Sequence, residues 1–341
     1  MILSKKNSTI TVVGAGSWGT AIAGTLSSKG HTVFLWGHRR EHMEKLKEEG
    51  QNSKYLPGFF FGKNLIPTND LKEAVGESEI LCLVVPSQVY RSVFKEILPD
   101  LRDNTIIVSA VKGIENKTLL TMTQVMEEEL IHNGKKVSVQ LAVLSGPSFA
   151  REVADNIPTA VTIGCRNMST ARMLQDLFGT DTFRVYVSTD VVGLEVSAAF
   201  KNVIAIATGI CDGLGYGMNT RAALITRGLA EITRYGMHIG ADPQTFSGLS
   251  GMGDLILTCT GDLSRNRSVG VQLGRGKKLE QILSEMNMVA EGVKTTLSGY
   301  KLSRKHGIEM PILEQVYKIL YENKDCSKAV QDLLSRDMKA E

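Results

Sequence analysis

Short apolar runs alternate with amphipathic stretches along the first half of the chain. Residues 9–13, 32–36, 80–85, 105–110 and 140–144 have the length and β-branched content of strands buried on both faces of a parallel sheet. Between them, 19–29, 41–49, 90–97 and 119–131 carry the spacing of helices. Such alternation predicts a doubly wound α/β domain of the Rossmann kind. Two further strands, 160–164 and 183–187, flank a helix at 170–178 and extend the same sheet. Beyond residue 190 the texture changes: 191–209, 220–235, 279–286, 293–305 and 311–322 read as helices with no strand between them. The expectation is a nucleotide-binding domain over 1–190 and an all-α domain over 191–341, without repeats.

Composition narrows the class. The 341 residues, 43% hydrophobic and 22% charged, suit a globular protein of about two domains and exclude a disordered, collagen-like or coiled-coil chain. A net charge of +3 is no footprint for nucleic acid or an anionic membrane. Glycine is abundant (33) and proline scarce (8), which suits backbone that something must approach closely. The five scattered cysteines fit reduced thiols and a cytoplasmic location. The histidines form no cluster with metal-ligand spacing, so no metal site is argued. Residues 1–8 lack the apolar centre of a signal peptide. The stretch 191–210 has membrane-like length, but Glu195, Lys201 and Asn202 near its middle argue for a helix buried in protein, not for insertion in lipid.

Gly14-Ala15-Gly16-Ser17-Trp18-Gly19 is G-x-G-x-x-G between a strand and a helix. Gly14 permits the tight turn, Gly16 lets a pyrophosphate approach the backbone, and Gly19 lets helix and strand pack closely. The helix N-terminus then meets the anion. A bare turn and a methyltransferase loop are the rival readings. An NAD-selective site usually carries an acid about 20 residues on, for the ribose 2′-hydroxyl. Here His38-Arg39-Arg40 stand instead, with no acid before Glu41. They accommodate a 2′-phosphate, or simply open the next helix in solvent; both readings stay open.

Three more strand ends lead to polar turns: Val85-Pro86-Ser87, Val111-Lys112-Gly113 and Ser145-Gly146-Pro147-Ser148-Phe149-Ala150. Ligands bind beyond the carboxyl ends of such strands. Lys112 is therefore placed to polarise a substrate oxygen, and Ser145–Ser148 to cradle a ligand or to cap a helix. In the apolar stretch 191–209, Lys201 either pairs with a carboxylate at a polar edge or acts as a general acid and base with a lowered pKa. Ser264-Arg265-Asn266-Arg267 reads as a helix start suited to a phosphomonoester, or as a solvated surface turn. The segment Met288–Val293 pairs one acid, Glu291, with a glycine turn and says little alone.

Taken together, GAGSWGTA, LWGH, VVPS, VKGI, LSGPSFA, FKNVIAIATGICDGLG, TRAALITRGLAE, GLSGMGDLILTCTGDLSRNR, VAEGV and EMPILEQVY run nearly end to end. In that order they resemble the bacterial NAD(P)-dependent glycerol-3-phosphate dehydrogenases. The resemblance implies a Rossmann domain with an all-α domain. It implies reversible, NAD(P)H-dependent reduction of dihydroxyacetone phosphate to sn-glycerol 3-phosphate, feeding glycerophospholipid synthesis. By the same resemblance Ser17, Trp18, His38, Lys112, Ala150, Arg265, Val289 and Glu291 contact the cofactor, and the residue reading adds the loop glycines Gly14, Gly16 and Gly19 and Arg39. Lys112, Gly146, Ser148, Lys201, Asp254, Ser264, Arg265 and Asn266 fall to the substrate, with Lys201 as the proton donor and acceptor. One departure stands out: Ser197-Ala198 replaces the family's Gly-Gly pair and brings close backbone packing there into question. A β-hydroxyacid dehydrogenase and a non-catalytic NADP(H) sensor are the alternative readings. The NAD/NADP preference and the oligomeric state, a homodimer among the candidates, stay open.

Overall fold

The computed structural model describes residues 7–132, 134, 137–286 and 288–338. Most of the stretch 1–8, read above for a leader, lies outside the described residues. The chain divides into two compact units: Met1–Val111 with Met122–Val191, and Lys112–Thr121 with Val192–Glu341. The short excursion Lys112–Thr121 joins the second unit, which nothing in the periodicity announces.

Among the described residues of the first unit, ten strands form two sheets. They are β1 (Thr9–Val13), β2 (Thr32–Trp36), β3 (Gln51–Asn52), β4 (Leu56–Phe60) and β5 (Leu65–Thr68), then β6 (Ile80–Leu83), β7 (Ile106–Ser109), β8 (Gln140–Ser145), β9 (Thr159–Cys165) and β10 (Phe183–Ser188). The large sheet runs β10-β9-β8-β7-β6-β1-β2-β5, and β3 and β4 pair separately. Read from β5, the first six strands keep the 3-2-1-4-5-6 order of a dinucleotide-binding sheet, whose direction of winding reverses between β1 and β6. That switch point is built from TITVV and ILCL, almost wholly buried because helices cover both faces.

The large sheet is dominated by parallel pairs, with one exception. β8 and β9 pair antiparallel, Val143 opposite Gly164, while β9 and β10 run parallel to each other. The connection between β8 and β9 carries one short helix, Ala150–Ala154. β5 was absent from the sequence reading because Pro67 interrupts it. As the outermost strand it has one unpaired edge, which tolerates the missing N–H.

The second unit is helical and gathers around the helix Val191–Gly213. Val196, Phe200, Val203, Ile204 and Ile206 along it are all but inaccessible. Each buries side-chain area that contributes roughly 1.5–3 kcal/mol. Among the described residues this helix alone is long and apolar enough to cross a membrane, and 94% of its most apolar window is buried in the protein. Ser197 and Ala198 leave it unbroken: both are 1% exposed, and the Ser197 hydroxyl has no partner among the described residues.

The helix Arg265–Gly274 lies alongside it in parallel. Asn202 faces Asn266, and backbone meets backbone near Ile206 and Gly270 and near Ile210 and Gly274, with one offset throughout. A Cβ on Gly270 would fall 2.2 Å from the Ile206 carbonyl oxygen, so only glycine permits this approach.

Candidate functional site

In the first unit the glycine loop joins β1 to the helix Ser17–Ser28. Gly14 has φ +126°, a region that L side chains avoid, and a Cβ there would meet the Val84 carbonyl oxygen at 2.8 Å. A Cβ on Gly19 would fall 1.8 Å from the Gly14 carbonyl oxygen, so helix and turn are in direct backbone contact. Around Gly16 the space is open: a Cβ would find nothing within 4 Å. Gly16 is the N-cap residue, and no side chain caps the helix. Trp18 Nε1 is buried without a partner among the described residues. An uncapped helix start, an open cradle and an orphaned donor fit a dinucleotide's pyrophosphate, and no carboxylate projects from the loop to repel it.

Residues that the sequence reading missed hold this loop in place. The buried Asn52 amide donates to the Ala15 carbonyl oxygen at 3.1 Å and to Thr20 Oγ1 at 2.8 Å, and Ser17 Oγ donates to the Tyr55 carbonyl oxygen at 2.6 Å. The β3–β4 hairpin thus straps the loop from a distance in sequence that motif spacing does not reach. At the end of β2, His38 and Arg39 are exposed. Arg40 opens the next helix and pairs with Glu44 across one turn at 2.7 Å. Arg40 therefore takes the bland reading, while Arg39 stays at the exposed N-cap position.

After β8, Gly146 has φ +136° and a Cβ there would lie 2.9 Å from Val161 Cα. Ser148 does not cap the helix Ala150–Ala154. Phe149 occupies the N-cap position without a side-chain bond, and Ser148 Oγ donates instead to the Gly146 carbonyl oxygen at 3.0 Å. The turn ties its hydroxyl to its own start, which leaves the backbone at Ala150 uncapped.

The second unit brings together side chains that stand far apart in sequence. Lys201 is 5% exposed; its Nζ donates to Asp254 Oδ1 at 2.5 Å and to Thr258 Oγ1 at 2.7 Å. Lys112 Nζ donates to the other oxygen, Asp254 Oδ2, at 2.7 Å. One buried carboxylate is therefore shared by two ammonium groups. Asp254 reaches this place from a π-helical segment, Leu249–Gly253, which leads into the helix Asp254–Thr260. Burial lowers the Lys201 pKa to about 7; Asp254 opposes that shift and Lys112 adds to it. Lys201 is thus paired with a carboxylate, as one of its two readings has it, and burial weakens its hold on the proton.

A chain of amides continues from this cluster. Asn202 Nδ2 donates to the Lys112 carbonyl oxygen at 3.4 Å. Asn266 Nδ2 donates to Asn202 Oδ1 at 2.9 Å, and Asn266 Oδ1 accepts the Gly292 N–H at 2.9 Å. Ser264 caps its helix through Arg267 N–H at 3.2 Å, as the sequence led one to expect. Arg265 is exposed and donates to the Val289 carbonyl oxygen at 2.9 Å, beside the helix that Glu291 opens. Asn202 and Thr258 were not singled out from sequence. Asn202 has one signal, an amide next to the lysine in an otherwise apolar helix; Thr258, in an ordinary-looking LTCT run, has none. A larger cavity of about 880 Å³ lies elsewhere in this unit, between Leu224, Arg227, Glu231 and Val316, and none of the predicted residues lines it.

Comparison with known proteins accounts for this combination. Residues 9–171 match the family described as NAD-dependent glycerol-3-phosphate dehydrogenase N-terminus, and residues 190–331 match its C-terminus. The glycerol-3-phosphate dehydrogenase [NAD(P)+] of Desulfotalea psychrophila is 58% identical over 99% of this chain and 100% of that protein. That of Citrifermentans bemidjiense is 57% identical over 97% of this chain and 98% of that protein. Among solved structures, the glycerol-3-phosphate dehydrogenase of Coxiella burnetii superposes with a TM-score of 0.92 at 40% identity, covering 98% of this chain and 100% of that one. The glycine loop and the paired-lysine cluster stand in a chain matched over nearly its whole length, and the chain belongs to the NAD(P)-dependent glycerol-3-phosphate dehydrogenase family.

Proposed function

We propose that in this oxidoreductase Lys201 is the general acid and base for the reversible reduction of dihydroxyacetone phosphate to sn-glycerol 3-phosphate. The observation that carries the assignment is the buried ammonium of Lys201 on Asp254 and Thr258, with a pKa of about 7. A group so poised gives and takes a proton at neutral pH. When bound, the reduced nicotinamide supplies a hydride. Gly14, Gly16, Ser17, Trp18 and Gly19 would hold the pyrophosphate, and His38 and Arg39 would receive the adenosine ribose. Ala150, Val289 and Glu291 would complete the cofactor's contacts.

Lys201 Nζ donates its proton to the C2 oxygen of the ketone during reduction and recovers it from the C2 hydroxyl during oxidation. Lys112, anchored on the second oxygen of Asp254, stabilises negative charge as it develops on that oxygen. Asp254 keeps both ammonium groups at fixed distances, and Thr258 fixes the direction of the Lys201 Nζ. The exposed Arg265, the Asn266 amide and the N–H groups at the start of the helix Arg265–Gly274 that Ser264 does not cap grip the phosphate and so orient the carbonyl. Gly146 and Ser148 contribute the remaining substrate contacts.

The physiological direction is reduction, in the cytoplasm, toward glycerophospholipid synthesis. Five free cysteines, four of them buried, support a reducing compartment. Cells depleted of the enzyme should then require external glycerol 3-phosphate for growth. The enzyme works as a homodimer, supported by the partly exposed apolar positions Ala222, Ala223, Leu224 and Ile225 of the helix Met218–His238. Light scattering at the mass of a single chain would refute the dimer. Steady-state rates with NADH and NADPH test the reaction itself. Reduction of dihydroxyacetone phosphate far exceeding that of dihydroxyacetone is expected, and absence of any phosphate preference would overturn the substrate assignment.

A further inference from the structure

The phosphate-gripping turn Ser264–Asn266 must keep its place relative to Lys201, although the side chains in it come from a different helix. Two of the contacts between those helices are already described: the amide pair Asn202–Asn266 and the backbone-to-backbone approach at Gly270. A third involves Asp212, in the last turn of the lysine helix, with a side chain only 9% exposed. Its Oδ2 accepts from Arg267 Nε at 2.8 Å. Its Oδ1 accepts from Arg221 at 2.6 Å (Nη2) and 3.1 Å (Nε). Arg267 is also held at Asp262 Oδ1, at 2.9 Å through Nη1, and its own N–H is the one that Ser264 caps.

We infer that Asp212 is a positioning residue for the phosphate grip. It acts through Arg267, fixing the first turn of the helix Arg265–Gly274 on the end of the helix that carries Lys201. The physical reason lies in the packing. Glycine contacts set how close the two helices come, but backbone contact without interlocking side chains resists sliding and rotation poorly. A buried carboxylate held by two guanidinium groups, one on each oxygen, fixes both. Arg221, in the first turn of the helix Met218–His238, anchors the same carboxylate from the other side.

The inference rests on Arg265 and Asn266 as the phosphate site, and the experiment separates the two claims. Asp212→Asn, Asp212→Glu, Arg267→Lys and Arg265→Ala are assayed with dihydroxyacetone phosphate and with dihydroxyacetone. For Asp212→Asn, KM for dihydroxyacetone phosphate should rise about tenfold or more with a smaller change in kcat. The preference in kcat/KM for the phosphorylated ketone should fall by a similar factor, and Asp212→Glu should restore part of it. Arg267→Lys, which keeps the charge but loses the two-sided fork, should reproduce the KM effect and serves if Asp212→Asn does not fold. An equal loss with both ketones would mean a purely structural role and would overturn the inference. So would an unchanged KM in Asp212→Asn and Arg267→Lys while Arg265→Ala raises it. If Arg265→Ala itself left the phosphate preference intact, the phosphate site would fall and the inference with it.

Discussion

The glycine loop of the first unit and the lysine cluster of the second are built from opposite materials. The loop uses backbone: a positive-φ turn at Gly14, an open space at Gly16 and a helix start with no cap. It carries no formal charge and needs only six consecutive residues. The cluster uses side chains, Lys112, Lys201, Asp254 and Thr258, assembled from three distant segments around one buried carboxylate. The difference teaches what each can do. Backbone dipoles bind an anion at any ordinary pH, but they cannot move a proton. A buried ammonium can, and its proton affinity is then tuned by burial and by its neighbours.

Four measurements sharpen that contrast. Lys201→Ala should lower kcat by roughly 10²-fold or more while leaving cofactor affinity near that of the parent, because it removes the proton carrier and nothing from the loop. Near-parental turnover would remove Lys201 from the mechanism. In the loop, Gly19→Ala places a Cβ 1.8 Å from the Gly14 carbonyl oxygen, so it should weaken cofactor binding about tenfold or more and lower Tm. Gly16→Ala meets no atom within 4 Å, so it should weaken binding with Tm unchanged. Equal Tm losses in both would contradict the open cradle.

The third measurement is a pH profile. With the Lys201 pKa near 7, reduction needs the ammonium and should fall as pH rises through that value. Oxidation needs the free amine and should rise over the same range. Each should change about tenfold between one unit below and one unit above the pKa. Parallel profiles in the two directions would argue against a shared acid and base. The smallest effect is expected at the ribose end: Arg39→Ala should reduce the affinity for NADPH a few-fold relative to NADH, read by fluorescence titration. No change in that ratio would return Arg39 to the solvated reading.

Much of the first unit was legible because its strands are apolar runs of β-branched residues and its nucleotide motif is contiguous. What escaped had physical reasons. Pro67 hid β5, since a proline is allowed only where the strand edge is unpaired. The helices Leu71–Glu77 and Asp254–Thr260 are seven residues each, too short for a periodic signal, and packing rather than propensity holds them. The antiparallel pairing of β9 with β8 leaves no mark in the strand's own residues. At the site, Lys201 could be read as an anomaly in an apolar helix. Its partners could not be ranked, because any of several acids could have neutralised it.

Local chemistry along the chain settled which residues were available: a glycine loop that can admit an anion, a lysine that burial would strain, and a helix start suited to phosphate. These follow from short-range sterics and solvation, which a few neighbouring residues control. The tertiary structure alone decided that Asp254 takes both lysines, that Asn52 straps the loop, and that Gly270 lets two helices meet backbone to backbone. Those choices depend on distances between segments 37 to 142 residues apart, and only the packed core sets them.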